Sequence, residues 1–217
     1  MRDQAGNTSF CTVNFATTEP TGSCDPSVSV EIWTPDTSML VNASFALLGT
    51  HCQLDSILIT GETQYILPGF WWAGWSQFAT FAPAGYTITA EAWKNSDPLN
   101  GISTLDLALI QKQLLGIEPF NSPYQIIAAD ANQDGQVTSF DLVLLKQLIL
   151  DDNTQLPNGR SCRIIPLDYA FPDPLYPFAP PFPEKITVSN TVEPAPDHFY
   201  FMGIKIGDVN FSADPGQ

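Results

Sequence analysis

Positive charge is scarce in this chain: its 217 residues hold 8 Lys+Arg against 23 Asp+Glu, a formal net charge of −15. A surface of that sign repels nucleic-acid phosphates and anionic lipid, so neither is expected as a partner. No apolar run reaches the roughly 18 residues that a membrane-spanning helix needs. Histidine occurs only at His51 and His198, and both read as surface or packing residues. Also missing are a Gly-rich phosphate loop, a Gly-x-Ser-x-Gly elbow and a His-Glu-x-x-His helix. Paired carboxylates could in principle cleave glycosides, but the acids concentrate in the loops described below, so the expectation is that the chain is not an enzyme. The start, "MRDQAGNTSF", has no apolar signal core. The chain is therefore either cytosolic or a mature or excised piece of something longer. Its four cysteines, Cys11, Cys24, Cys52 and Cys162, are not spaced as a zinc site. Their even number, with sequons at Asn7, Asn42 and Asn210, favours an oxidising, extracellular or cell-surface setting.

What is present is enough apolar matter for a packed fold, with 44% hydrophobic and 12% aromatic residues. As far as about residue 95 the chain reads as β structure. The runs "SVSVEIW", "SFALLG", "SILITG", "TQYILPG", "SQFATFA" and "GYTITAEAW" are broken by Gly, Pro, Asn and Asp, as in a small antiparallel sandwich. The aromatic group Phe70, Trp71, Trp72 and Trp75 reads first as core or strand-edge packing and second as an exposed interface. Near residue 100 the period changes. "ISTLDLALIQKQLLG" (102–116) and "VTSFDLVLLKQLIL" (137–150) carry apolar residues at helical spacing and repeat one another at an offset of 35. Ile102 matches Val137, Ser103 matches Thr138, Leu105 matches Phe140, Asp106 matches Asp141 and Leu107 matches Leu142. Two such loop-helix units predict a pseudo-twofold pair. The Pro-rich stretch "YAFPDPLYPFAPPFPEK" carries Tyr169, Phe171, Tyr176, Phe178 and Phe182, which predicts an ordered extended wrap. The last run, "FYFMGIKIGDVN", alternates like a strand returning to the body.

The stretch "DANQDGQVTSFD", residues 130–141, places oxygen-bearing side chains at its first, third, fifth and last positions and glycine at its sixth. A hard cation such as calcium takes about six to eight oxygens, and a single loop supplies them only by turning sharply. Asp130, Asn132 and Asp134 offer side chains, Gln136 its backbone carbonyl, and Thr138 a hydroxyl or a bridging water. Asp141 closes the set from the first turn of the helix, with a shorter reach than the usual glutamate. The alternative is an acidic turn that merely caps a helix.

This loop-helix, paired with "NGISTLDLALIQKQLLG", resembles the duplicated calcium repeat of bacterial dockerin domains over about residues 95–155. The resemblance implies calcium ligands at Asp130, Asn132, Asp134, Gln136 and Asp141, and at Asp106 in the first repeat. It also implies a cohesin-like partner met through residues beside the closing aspartates: Ser103, Thr104, Thr138 and Ser139. The first repeat departs from the family pattern. Upstream of Asp106 the chain reads "NSDPLNG", with Pro98 and Leu99 where a ligand belongs, although Asn95, Asp97 and Asn100 could serve. "GDVN" (207–210) resembles the missing half-loop. The expectation is a split second site, with Asp208 and Asn210 folded back beside Gly101, Ser103 and Asp106.

The stretches "VSVEIW", "GYTITAEAWKN" and "PLNGISTLDL" together resemble a carboxypeptidase regulatory-like sandwich followed by a dockerin, and "DQAGNTSFCTV" resembles the last strand of a hyalin-repeat-like module. The implied fold is α+β: an antiparallel immunoglobulin-like or transthyretin-like sandwich, then a helical pair with EF-hand-type loops. The units are a strand segment (1–24), the sandwich (25–94), the helical unit (95–155) and the wrap with the returning strand (156–217). In the resembling proteins the position of Cys162 is usually aromatic and a cysteine at Cys52 is not typical. Those two departures imply a Cys52–Cys162 bond, worth about 4–5 kcal/mol in the chain-entropy model, with other pairings open. Two functions follow as expectations. The first is a calcium-rigidified structural subunit whose N-terminal strand adds to another copy, giving a filament. The alternative is recruitment of a cohesin-like partner.

Overall fold

Alternation decides the first strand. In β1 (Ser27–Trp33) Val30 and Ile32 turn inward and are fully buried, as the two-residue period of a strand requires. Next come β2 (Ser44–Thr50), β3 (Ile57–Glu62), β4 (Phe78–Ala79) and β5 (Thr87–Trp93), the last with Ile88 and Ala90 turned inward by the same rule. Helices α1 (Thr104–Leu114), α2 (Pro123–Ala129) and α3 (Ser139–Ile149) follow, then β6 (Cys162–Pro166), β7 (Lys185–Ser189) and β8 (His198–Lys205). This is a computed structural model, and it describes residues 27–50, 57–63, 78–79, 87–150, 155–189 and 198–216. The aromatic group Phe70, Trp71, Trp72 and Trp75, the candidate N-terminal strand segment, and Asn7, Cys11, Cys24, His51 and Cys52 lie outside the described residues.

The chain is α+β. Its described strands form two four-stranded sheets, ordered β4-β1-β8-β6 and β3-β2-β5-β7. Strands from the last third of the chain complete both sheets, β6 and β8 in one and β7 in the other. The expectation of purely antiparallel pairing is corrected at one place: β1 runs parallel to β8, with Val30 opposite Phe199 and Ile32 opposite Phe201. Parallel neighbours need a long connection, and here the helical unit lies in the chain between them.

The central strand β8 serves two cores at once. Phe199 and Phe201 join Val30, Ile32, Phe45, Leu47 and Ile88 in a core shared by both sheets. Met202 and Ile204, on the opposite face, join Ile110, Ile127, Leu145 and Leu148 in a core shared with the helices. The sheet that contains β8 is thus the middle layer. The Pro-rich stretch covers the helical side. Phe171 meets Tyr124, Tyr169 and Phe182 edge-on, and Arg163 lies 4.6 Å from the Phe182 ring centre. Tyr176, counted among the packing aromatics above, is exposed.

The Cys52–Cys162 bond is not made. Cys162 carries a buried free thiol, because the β6 alternation turns it with Ile164 into the core between the sheets. There it acts as a small hydrophobe, and burial pushes its thiol pKa up. His198 is exposed and stacks on Tyr200, with ring centres 5.6 Å apart. Asn42 is exposed as a sequon would be, but its amide donates to the Gly216 carbonyl at 3.2 Å. No helix among the described residues is long and apolar enough to cross a membrane.

Candidate metal centre

Both long helices begin in the same way. Ser103 caps α1 and Thr138 caps α3, each in a capping box closed by an aspartate three residues on, Asp106 or Asp141. The Asp141 Oδ2 accepts from the Thr138 N–H at 2.8 Å and from its hydroxyl at 3.1 Å. The Asp106 Oδ2 accepts the equivalent pair from Ser103 at 2.9 and 2.8 Å. The second oxygen of each aspartate reaches away from its helix. That of Asp141 accepts the Asn132 N–H at 3.2 Å, and that of Asp106 accepts the Val209 N–H at 3.0 Å.

The contiguous loop wraps around Asp130. Its carboxylate accepts the N–H groups of Asp134 at 3.1 Å and Gly135 at 2.9 Å. Gly135 sits at φ 85° and Gln133 at φ 58°, the left-handed turn that brings residues 130 and 134 together. Asn132 and Asp134 face one another, with the Asn132 amide donating to the Asp134 carboxylate at 2.8 Å. Asp134 also accepts the Gln136 N–H at 2.9 Å.

The tail after β8 repeats this geometry. Asp208 accepts the N–H groups of Ser212 at 3.0 Å and Ala213 at 2.8 Å, four and five residues on, as Asp130 does. Phe211, the counterpart of Gln133, has φ 59°. The Ser212 hydroxyl donates to the Gly101 carbonyl at 3.2 Å, and Gly101 stands 35 residues before Gln136. Asp208, Gly101, Ser103 and Asp106 are therefore brought together through Ser212 and Val209, and Asn210 lies in the same tail loop. Ser212, which sequence reasoning passed over, stands where Asp134 stands in the contiguous loop; the spacing of "DVNFSA" against "DANQDG" is the signal that could have found it. Of the other candidates, Asn100 pairs instead with the Asp214 backbone, its amide donating at 2.7 Å and its carbonyl accepting at 2.9 Å. Asp97 offers its carbonyl to Lys205 at 2.8 Å.

The residues present fit a cation. Asp106 and Asp141 are 0% exposed and Asp130 and Asp208 1%, and among the described residues none of the four makes an ion pair. Burying carboxylates is costly where positive charge does not balance them; the Lys205 charge offsets part of this at Asp208, and an external cation would offset the rest. The Asn210 Oδ1 is buried and accepts no hydrogen bond, an orphaned oxygen in the tail loop. Among the described residues no three carboxylate, imidazole or thiol groups converge. The oxygens that meet are of mixed type: carboxylate, amide, hydroxyl and carbonyl, the set a hard cation takes.

Burial pushes the Asp130 carboxyl up to about 6; the charges of Asp141 and Asp134 push the same way, against the N–H bonds from Gly135 and Asp134. Burial and the Asp106 charge likewise raise Asp208, against the N–H bonds from Ser212 and Ala213. A carboxyl raised above its ordinary value of 3.8 supports the ion-free fold below that value, and the support is lost as pH rises to about 6. Above that pH the ionised carboxylate would be free to hold a divalent ion in the proton's place. Calcium affinity at the contiguous loop should thus fall about tenfold per pH unit below about 6. The calcium-induced gain in melting temperature should shrink between pH 7 and pH 5; an equal gain at both would contradict this assignment.

Residues 100–150 match the family model of the dockerin type I domain. No curated protein and no solved structure matches the chain. The matched span holds α1, α2, α3 and the contiguous loop; the tail loop lies outside it.

Proposed function

We propose that the chain is a non-catalytic, calcium-stabilised recruitment module of an extracellular or cell-surface bacterial protein, and that its α1–α3 face docks a cohesin-like partner. One observation carries this reading. Leu105 and Phe140, equivalent positions next to the two closing aspartates, are each 55% exposed, and Val143 is exposed beside Phe140 on α3. Ser103, Thr104 and Ser139 are exposed around them and Thr138 is half-buried. Apolar anchors within a polar rim are the anatomy of a binding patch. The residues for two ions are Asp130, Asn132, Asp134, Gln136, Thr138 and Asp141 in the contiguous loop, and Gly101, Ser103, Asp106, Asp208, Asn210 and Ser212 in the split one. At tenfold above its dissociation constant, calcium adds about 1.4 kcal/mol of stability per site. The filament reading rests on an N-terminal strand (1–24) outside the described residues, and no described feature favours contact between copies.

Titration with a purified cohesin module tests the reading. The wild type should bind in calcium, and the double variant Leu105→Glu/Phe140→Glu should bind at least about 30-fold more weakly, a loss of about 2 kcal/mol. Because both side chains are exposed, melting temperature and calcium stoichiometry should hardly move. If the wild type ignores cohesins and electron microscopy shows periodic fibres, the recruitment reading gives way to the filament.

A further inference from the structure

We propose that the ion in the split loop staples the C-terminal strand β8 in place, so that calcium governs the order of the β-sheets as well as of the helices. The proposal rests on the calcium reading of that loop. Its starting point is the covalent continuity of β8 with the loop. Ile206 and Gly207 lead without a break from the strand to Asp208, and their N–H groups donate to the Ser161 carbonyl at 2.9 Å and the Ala128 carbonyl at 2.7 Å. β8 fills both cores, as does its neighbour β6: Phe199 and Phe201 lie between the sheets with Cys162 and Ile164, and Met202 and Ile204 lie against the helices with Ile165. Whatever fixes the end of β8 therefore bears on the packing of both.

The tail itself runs over three parts of the molecule. The Gln125 amide donates to the Val209 carbonyl at 3.1 Å, from α2. Asn100 holds Asp214 ahead of α1. The Val41 N–H donates to the Pro215 carbonyl at 3.1 Å and the Asn42 amide to that of Gly216, where the chain enters β2. These bonds are opposed at the centre by like charge. Asp208 and Asp106 are both buried, and the Asp106 carboxylate accepts the N–H of Val209, the residue next to Asp208, at 3.0 Å. A divalent cation offsets that like charge. It gives the orphaned Asn210 Oδ1 a partner and draws the tail onto the N-terminus of α1. The two ions then differ in reach. The contiguous loop gathers ligands within residues 130–141 and orders the α2–α3 junction. The split loop joins residues 101–106 to residues 208–212, and the strand pairing of β1 with β8 lies within its grip.

Hydrogen exchange by mass spectrometry on the full chain, with calcium stoichiometry measured on the same samples, tests this. Asp208→Asn keeps size and one of the two oxygens that accept the Ser212 and Ala213 N–H groups, while removing the charge. It should lose one bound calcium, and the amides of β1 and β8 should exchange at least tenfold faster. Asp130→Asn should also lose one calcium but speed exchange only around α2 and α3. If Asp208→Asn loses one calcium and β1 and β8 stay protected, the staple is refuted while the calcium reading stands. If it keeps the wild-type stoichiometry, the split loop is no calcium site and both fall. Should Asp208→Asn fail to fold in calcium, Asn210→Ala, which leaves both buried aspartates, is read by the same criteria.

Discussion

Asp141→Ala should abolish calcium binding at the contiguous loop and destabilise even the calcium-free protein by about 2 kcal/mol. The two effects share a cause. One carboxylate at 0% exposure accepts from the Thr138 N–H, the Thr138 hydroxyl and the Asn132 N–H. It thus caps α3 and also closes the loop in front of it. Alanine leaves those donors unmet and removes the charge that balances an ion. Calcium affinity at this loop should drop at least about 100-fold, so that calorimetric titration finds one fewer ion. The Asp141→Asn variant separates the two roles: it keeps an acceptor for the cap but not the charge, so it should lose the ion with a smaller loss of calcium-free stability. Full stoichiometry in Asp141→Ala would show that Asp141 is a helix cap and nothing more.

The second large effect is expected at Phe201. It is fully buried on β8 between the two sheets, and truncating such a ring to alanine costs about 3–5 kcal/mol. That is a large part of the roughly 5–15 kcal/mol that holds a domain folded, and melting should fall by roughly 10–15 °C. Ile204→Ala removes a side chain from the opposite face of the same strand, where it packs in the helical core, for about 2–5 kcal/mol. Because one strand fills both cores, each variant should still melt in a single transition that lowers the sheet and helix signals together. Two separated transitions in Phe201→Ala, with the helices holding at the wild-type temperature, would show that the cores are independent.

Gly207 shows how closely that strand is fitted to the helices. It stands at φ 91°, and a Cβ there would lie 2.6 Å from the Ile102 side chain and 2.7 Å from that of Leu145. Only a residue without a side chain lets the chain pass from β8 into the loop at this distance. The first residue of "GDVN" is thus explained by packing and the second by the candidate ion site.

What was readable in the amino-acid order is what neighbours along the chain decide. Loop 130–141 declares itself through oxygen spacing and one glycine, α1 and α3 through apolar period and capping boxes, and β1, β2, β3, β5 and β8 through alternating or clustered apolar residues. Even α2 had a local sign that went unread, a serine cap followed by proline at the first helical position, Ser122 and Pro123. Tertiary structure alone decided the rest. Alternation in β8 shows that it has two faces, yet nothing local says that both are buried, one by a sheet and one by helices. Nor does it say that β8 runs parallel to β1, or that Ser212 and Ala213 extend the half-loop begun by Asp208 onto Gly101. Those outcomes join residues more than a hundred positions apart, and they depend on which surfaces remain uncovered once the local elements have formed.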